Sequence, residues 1–249
     1  MNKKTWSIIS AVVLVITLAI NMISTFGLFG VTPVKEISDR FANLLVPMGY
    51  TFSVIWTVIY VGLLYYTIKD LAGKEEKYNF NLLFIISNIL NVLWIVTFTG
   101  GLYFLSVLAI LGLLVLLYII TSNITDNNLD KIIFSIYTAW ILVASVVSIT
   151  SFIVSLDLVA FDSLIMKLVS ILMLVATTIV ILINRNNMAM KLTYVFALAG
   201  IAANHIFKFN FAYIDMMIVV GIVVAYVLYA LFNELFEDSS KEVRPHEAL

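Results

Sequence analysis

Eight stretches of roughly twenty apolar residues, each ended by a short polar break, constrain this chain more than any other feature of it. They fall at about 6–29, 47–69, 79–99, 102–123, 131–154, 163–184, 189–207 and 213–236. Each has the length an α-helix needs to cross the hydrocarbon of a bilayer, where every backbone group must be satisfied within its own segment. Composition closes off the soluble alternative. With 63% hydrophobic and 12% charged residues, the chain has too little polar surface to cover a water-soluble domain of 249 residues. The expected fold class is therefore an all-α integral membrane protein with about eight transmembrane helices.

Several functions are excluded at once. The net charge of −1 and the lack of a basic stripe argue against nucleic acid. No cysteine is present, so disulfides and thiolate chemistry drop out, and two histidines are too few for a His-rich zinc site. Neither a P-loop nor the H-E-x-x-H or G-x-S-x-G patterns occur. No catalytic or metal-ligating residue is assigned, and the chain is not expected to be an enzyme. The start, "MNKKTWSIISAVVLVITLAI", resembles a signal peptide, but its apolar run continues to Gly30 without a small-residue cleavage site, which suits a retained first helix. The tail "EDSSKEVRPHEAL", residues 237–249, is polar and expected to be disordered.

Orientation follows from the basic residues. With the N-terminus inside, ten of the 14 fall on inside segments, at Lys3, Lys4, Lys69, Lys74, Lys77, Lys131, Arg185, Lys191, Lys241 and Arg244. Lys35, Arg40, Lys167 and Lys208 fall outside. The expected location is a bacterial cell membrane, with both termini cytoplasmic.

The spans are not uniformly apolar. On a helical wheel Gly49, Ser53, Trp56 and Tyr60 of the second span lie within about 60° of one another. Ser87, Asn91, Trp94 and Phe98 of the third do the same. In the fifth, Tyr137, Trp140, Ala144 and Ser148 fall within about 80°. The plainer reading is helix packing, in which small residues allow close approach and Ser or Asn bonds across the contact. Three matched faces favour a shared cavity instead. Trp94 and Trp140 lie well inside their spans, where an indole N–H needs a partner. Two indole faces can sandwich a flat ring system, and the Asn91 amide offers donors and an acceptor to its polar edge, so that Asn91→Leu is expected to alter ligand choice without harming the fold.

The stretch "VPMGYTFSVIWTVIY" (46–60) resembles the loop-to-helix signature of the TspO/MBR family, the translocator or tryptophan-rich sensory proteins. That signature reads Pro-Pro-x-Trp-x-Phe-x-x-Val-Trp-Thr-x-Leu-Tyr, and Pro47, Phe52, Trp56, Thr57 and Tyr60 match it in spacing. Leu90, Asn91 and Trp94 match the family's Leu-Asn-x-x-Trp, while Tyr137 and Trp140 match its Pro-Tyr-x-x-Trp. Tyr50 stands where the family has Trp, Met48 replaces the second proline, and Ile136 takes the proline place before Tyr137. The resemblance implies a five-helix bundle over residues 1–154. In its cavity, closed by the first loop, it would bind porphyrins, sterol-like lipids or synthetic aromatic ligands. Carried over by position, Trp56, Asn91 and Trp140 are the leading cavity residues, followed by Tyr60, Trp94, Tyr137 and Ala144; Ser53, on the Trp56 stripe, and Tyr50, at the family's Trp place, complete the candidates. A porphyrin is a candidate ligand; no resident cofactor is expected.

Residues 155–236 form three further spans, which leaves open whether they cover the lipid face of the bundle, form a homodimer contact or build a second site. Two residues there suggest an alternative, an ion-coupled secondary transporter: His205 near a helix end, and Asp215 early in the last span, where a carboxylate is costly unless paired or wet. The plainer reading makes both interfacial, with Asp215 near Lys208. Ala199-x-x-x-Ala203 with Gly200 reads as a packing seam. A membrane-embedded enzyme is the third alternative.

Overall fold

The structure, a computed structural model, describes residues 3–41, 44–73, 78–124, 129–184 and 186–242. Of the basic residues used for orientation, Lys74, Lys77, Arg185 and Arg244 lie outside the described residues, as does the tail from 243 onwards.

Helix α1 spans Lys3–Phe26 and is followed by a 3-10 turn, Leu28–Gly30. A short helix α2 (Val34–Arg40) orders the first loop. The remaining helices are α3 (Gly49–Leu71), α4 (Tyr78–Thr99), α5 (Tyr103–Asn123), α6 (Leu129–Ser155), α7 (Leu164–Ile183), α8 (Met188–Phe207) and α9 (Ile214–Glu242). Among the described residues, eight helices (all but α2) are long and apolar enough to cross a membrane, and no strand occurs.

The ends follow local chemistry. Gly101, at φ 76°, takes the left-handed turn that L side chains resist, and Leu102 N–H returns to the Thr97 carbonyl at 2.8 Å, so α4 reverses directly into α5. Ser163 and Asn187 cap α7 and α8 by accepting from Met166 N–H and Met190 N–H. Helix α9 departs from expectation, because its backbone stays helical through residues 237–242. The polar residues there end the apolar span, but Glu, Lys and Ser do not end a helix.

Inside the spans, hydroxyls are satisfied locally. Thr17, Thr57, Thr97 and Thr150 each donate to the carbonyl four residues back, at 2.6–2.9 Å. Such bonds let threonine sit in an apolar segment without an orphaned donor.

The order of packing differs from the order in sequence. Helix α1 lies against α3 and α4, α4 against α5, α5 against α6, and α6 against α3, which closes a ring of five. Helix α8 packs on α6 and touches α3, while α7 and α9 complete a second layer against α6 and α8. Helix α6 is thus the shared post. The most apolar stretch of α6 is 83% buried against 22% for α9, which explains why α6 has an apolar or small residue at nearly every position.

Candidate functional site

The ring interior at mid-height is held by amides and aromatic rings. Asn91 of α4 sits at its centre, fully buried. Its Oδ1 accepts from Asn21 Nδ2 of α1 at 2.7 Å, and its Nδ2 donates to the Tyr137 hydroxyl of α6 at 2.9 Å. Asn21 Nδ2 also donates to the Thr17 carbonyl at 2.9 Å. One amide therefore ties three helices together, in an environment where an unpaired polar group is costly. Asn91 faces the interior as expected, but both ends of its amide are already engaged, so a ligand's polar edge would reach it by exchange.

Trp56 of α3 bridges to the same centre. Its ring stacks on Tyr60 at 5.2 Å and on Trp94 of α4 at 6.0 Å, and meets Tyr137 edge-on at 6.1 Å. These separations and angles suit attractive aromatic pairs. The Trp94 N–H donates to Ser148 Oγ of α6 at 3.3 Å, so that indole is satisfied within the ring.

One rung further along the antiparallel α3–α6 pair, Phe52 meets Trp140 edge-on at 5.1 Å. The Trp140 ring is wholly buried, and its Nε1 has no hydrogen-bond partner. Ala144, one turn on, is buried too. The structure thus brings Trp56, Tyr60, Asn91, Trp94, Tyr137, Trp140 and Ala144 to one α3–α4–α6 junction. Tyr50 and Ser53 do not join it. Tyr50 is 53% exposed, and Ser53 is exposed as well. A helical wheel says which residues share a face, but α3 turns Thr51, Ile55, Ile59 and Leu63 inwards, which leaves Tyr50 and Ser53 outside that buried face.

Sequence reasoning missed Asn21 and Phe52 as neighbours of this junction. Asn21 did carry a signal, an amide alone in the apolar run of the first span.

The end of α8 grips the first loop. Asn204 Nδ2 donates to the Val46 carbonyl at 3.0 Å, Met48 N–H donates to the Gly200 carbonyl at 2.9 Å, and His205 Nε2 lies 2.9 Å from the Leu44 carbonyl. His205, in the last turn of α8, is fully buried within the protein. Asp215 pairs with Lys167 at 2.6 Å, while Lys208 pairs with Asp39. The expected Asp215–Lys208 neighbourhood is therefore replaced by two separate ion pairs, because Lys167 on α7 takes Asp215 and Asp39 on α2 takes Lys208. The packing seam on α8 runs through Ala197, Gly200, Ile201 and Asn204, all buried, while Ala199 is exposed.

A family model described as TSPO-like protein matches residues 7–232. The match extends past residue 154 through α7, α8 and α9, so the family pattern includes the three spans that the motifs alone left outside it. No curated protein and no solved structure matches the chain.

Proposed function

The chain belongs to the TSPO-like family, and on that footing we propose that it binds a flat, hydrophobic or aromatic small molecule, tetrapyrrole- or sterol-like, at the α3–α4–α6 junction, in a sensing or transport role and without catalysis. The observation that carries this reading is the aromatic ladder of Trp56 with Tyr137 and Phe52 with Trp140, which includes a fully buried indole N–H with no acceptor. Buried donors without partners are uncommon, and an acceptor on a guest would satisfy this one. Trp56 and Tyr60 are only half-buried, which gives a guest an approach beside α3. The rings supply stacking area, and Asn91 supplies a polar edge once it releases Tyr137.

Titration of the purified protein with protoporphyrin IX and with cholesterol, read by tryptophan quenching, tests the reading. Trp56→Ala and Trp140→Ala should each weaken binding by about fivefold or more, and Trp→Phe by less, since a stacked indole is worth on the order of 1 kcal/mol. Trp6→Ala, far from the junction at the start of α1, is the control. Asn91→Leu should change ligand preference and also lower thermal stability by about 1–3 kcal/mol, because it orphans the Tyr137 hydroxyl and removes an acceptor from Asn21. Unchanged affinity in folded Trp56→Ala and Trp140→Ala would make the ladder a packing seam.

Both termini are proposed to be cytoplasmic, on the ten-to-four division of basic residues. Reporter fusions after Lys74 and at the C-terminus should both report cytoplasm; opposite locations would refute an even number of crossings.

A further inference from the structure

At the end of the ring where α1, α4 and α6 begin and α3 ends, four buried oxygens have no hydrogen-bond partner: Ser10 Oγ, Asp70 Oδ2, Asn81 Oδ1 and Asp130 Oδ1. Their residues are only 2–5% exposed. They make up half of the buried side-chain atoms without a partner among the described residues, so their common origin at one end calls for a common cause.

Helix register brings them to one level. Tyr66, Phe84 and Phe134 touch one another across α3, α4 and α6, with ring centroids 5.2–6.2 Å apart. Asp70 lies four residues after Tyr66, Asn81 three before Phe84, and Asp130 four before Phe134. Because α3 runs opposite to α4 and α6, all three steps descend about one turn on the same faces. The Lys69–Asp130 ion pair at 2.8 Å fixes α3 beside α6 at this level. The Asn21–Asn91 bond sets α1 against α4, and three turns down from it Ser10 comes level with Asn81.

Charge narrows the occupant. Lys69 pairs with Asp130, while the buried Asp70 carboxylate has no ion pair among the described residues, in a largely apolar interior. Water would meet the hydrogen-bonding need but not the charge, whose burial unpaired is costly. A divalent ion would overshoot it. A proton on one carboxylate would reach a single acceptor, whereas an ion can bridge several oxygens, and an all-oxygen set suits a hard cation. We propose that Ser10, Asp70, Asn81 and Asp130 bind a monovalent hard cation of the sodium class. The site lies apart from the aromatic ladder and does not depend on a ligand there.

The test is thermal unfolding of the full chain in lipid nanodiscs, in sodium chloride and in N-methylglucamine chloride at matched ionic strength. Sodium should raise the melting temperature saturably. Asp70→Asn should move half-saturation at least about tenfold higher, and should melt no lower than the unaltered protein in N-methylglucamine, because it removes the charge that the ion neutralises. Ser10→Ala, a smaller change, should weaken the sodium response in a protein that remains folded. Equal melting in the two salts would overturn the proposal. So would a sodium response that survives in both variants, which places the ion elsewhere. A rise in stability on acidification that is identical in both salts would also overturn it, with a proton as the occupant.

Discussion

Glu234→Ala should destabilise the protein by about 3–5 kcal/mol, while Lys191→Met should cost far less. Lys191 lies in the first turn of α8 with its side chain fully buried, and its ammonium pairs with Glu234 of α9, whose side chain is 24% exposed. Removing the carboxylate strands a cation where neither water nor a second acid is within bonding reach. Removing the lysine leaves a carboxylate that can turn outwards, and methionine fills most of the volume. The asymmetry, rather than either value, is diagnostic, and thermal or denaturant unfolding in detergent measures it. Equal losses in the two variants would mean that Lys191 reaches water by its own route. The pair matters for architecture because it ties α9, otherwise the most lipid-exposed of the spans, to the buried α8.

How much of this was legible beforehand varies with the kind of information. The limits of most spans were readable to within about two residues, because Gly73, Gly101, Ser163 and Asn187 mark helix ends through backbone conformation and capping, which are local properties. The convergence of Trp56, Asn91, Trp94 and Tyr137 was readable from periodicity together with the family's motif spacing. The direction in which a stripe points was not. Ser53 lies on the Trp56 stripe and still ends exposed, because the neighbours that bury one side of α3, on α6 and α8, are far away in sequence. Charge partners were equally hidden. Asp215 pairs not with Lys208, near it in the chain, but with Lys167, far away in sequence on α7, and only the packing of α7 against α9 brings that partner. The grip of α8 on residues 44–48 joins positions about 160 apart in sequence, and no local pattern encodes it.

That grip also sets the last expected result, the loss of the α3–α8 contact in Gly200→Leu. Gly200 faces Thr51 of α3 so closely that a Cβ at 200 would stand 2.4 Å from Thr51 Oγ1 and 3.0 Å from its Cβ. Thr51 Cγ2 would stand at 2.8 Å as well, so rotating the threonine exchanges one clash for another, and the helices must separate. Even Gly200→Ala should therefore cost about 1–3 kcal/mol, and leucine more. The damage should spread along α8. Gly200 also offers its carbonyl to Met48 N–H, and Asn204 and His205 hold the Val46 and Leu44 carbonyls one turn further on. Moving α8 away breaks these together and loosens the segment that leads into α3, Phe52 and Trp56. Protease cleavage within 44–48 should rise, and protoporphyrin quenching should weaken, in Gly200→Leu. Thr51→Ala removes the opposing Oγ1 and Cγ2, so Gly200→Ala combined with Thr51→Ala should recover most of the stability lost by Gly200→Ala alone. A double-mutant cycle on melting temperature reads this coupling directly. If the two changes were additive, the close approach of α3 and α8 would not be what holds the loop in place.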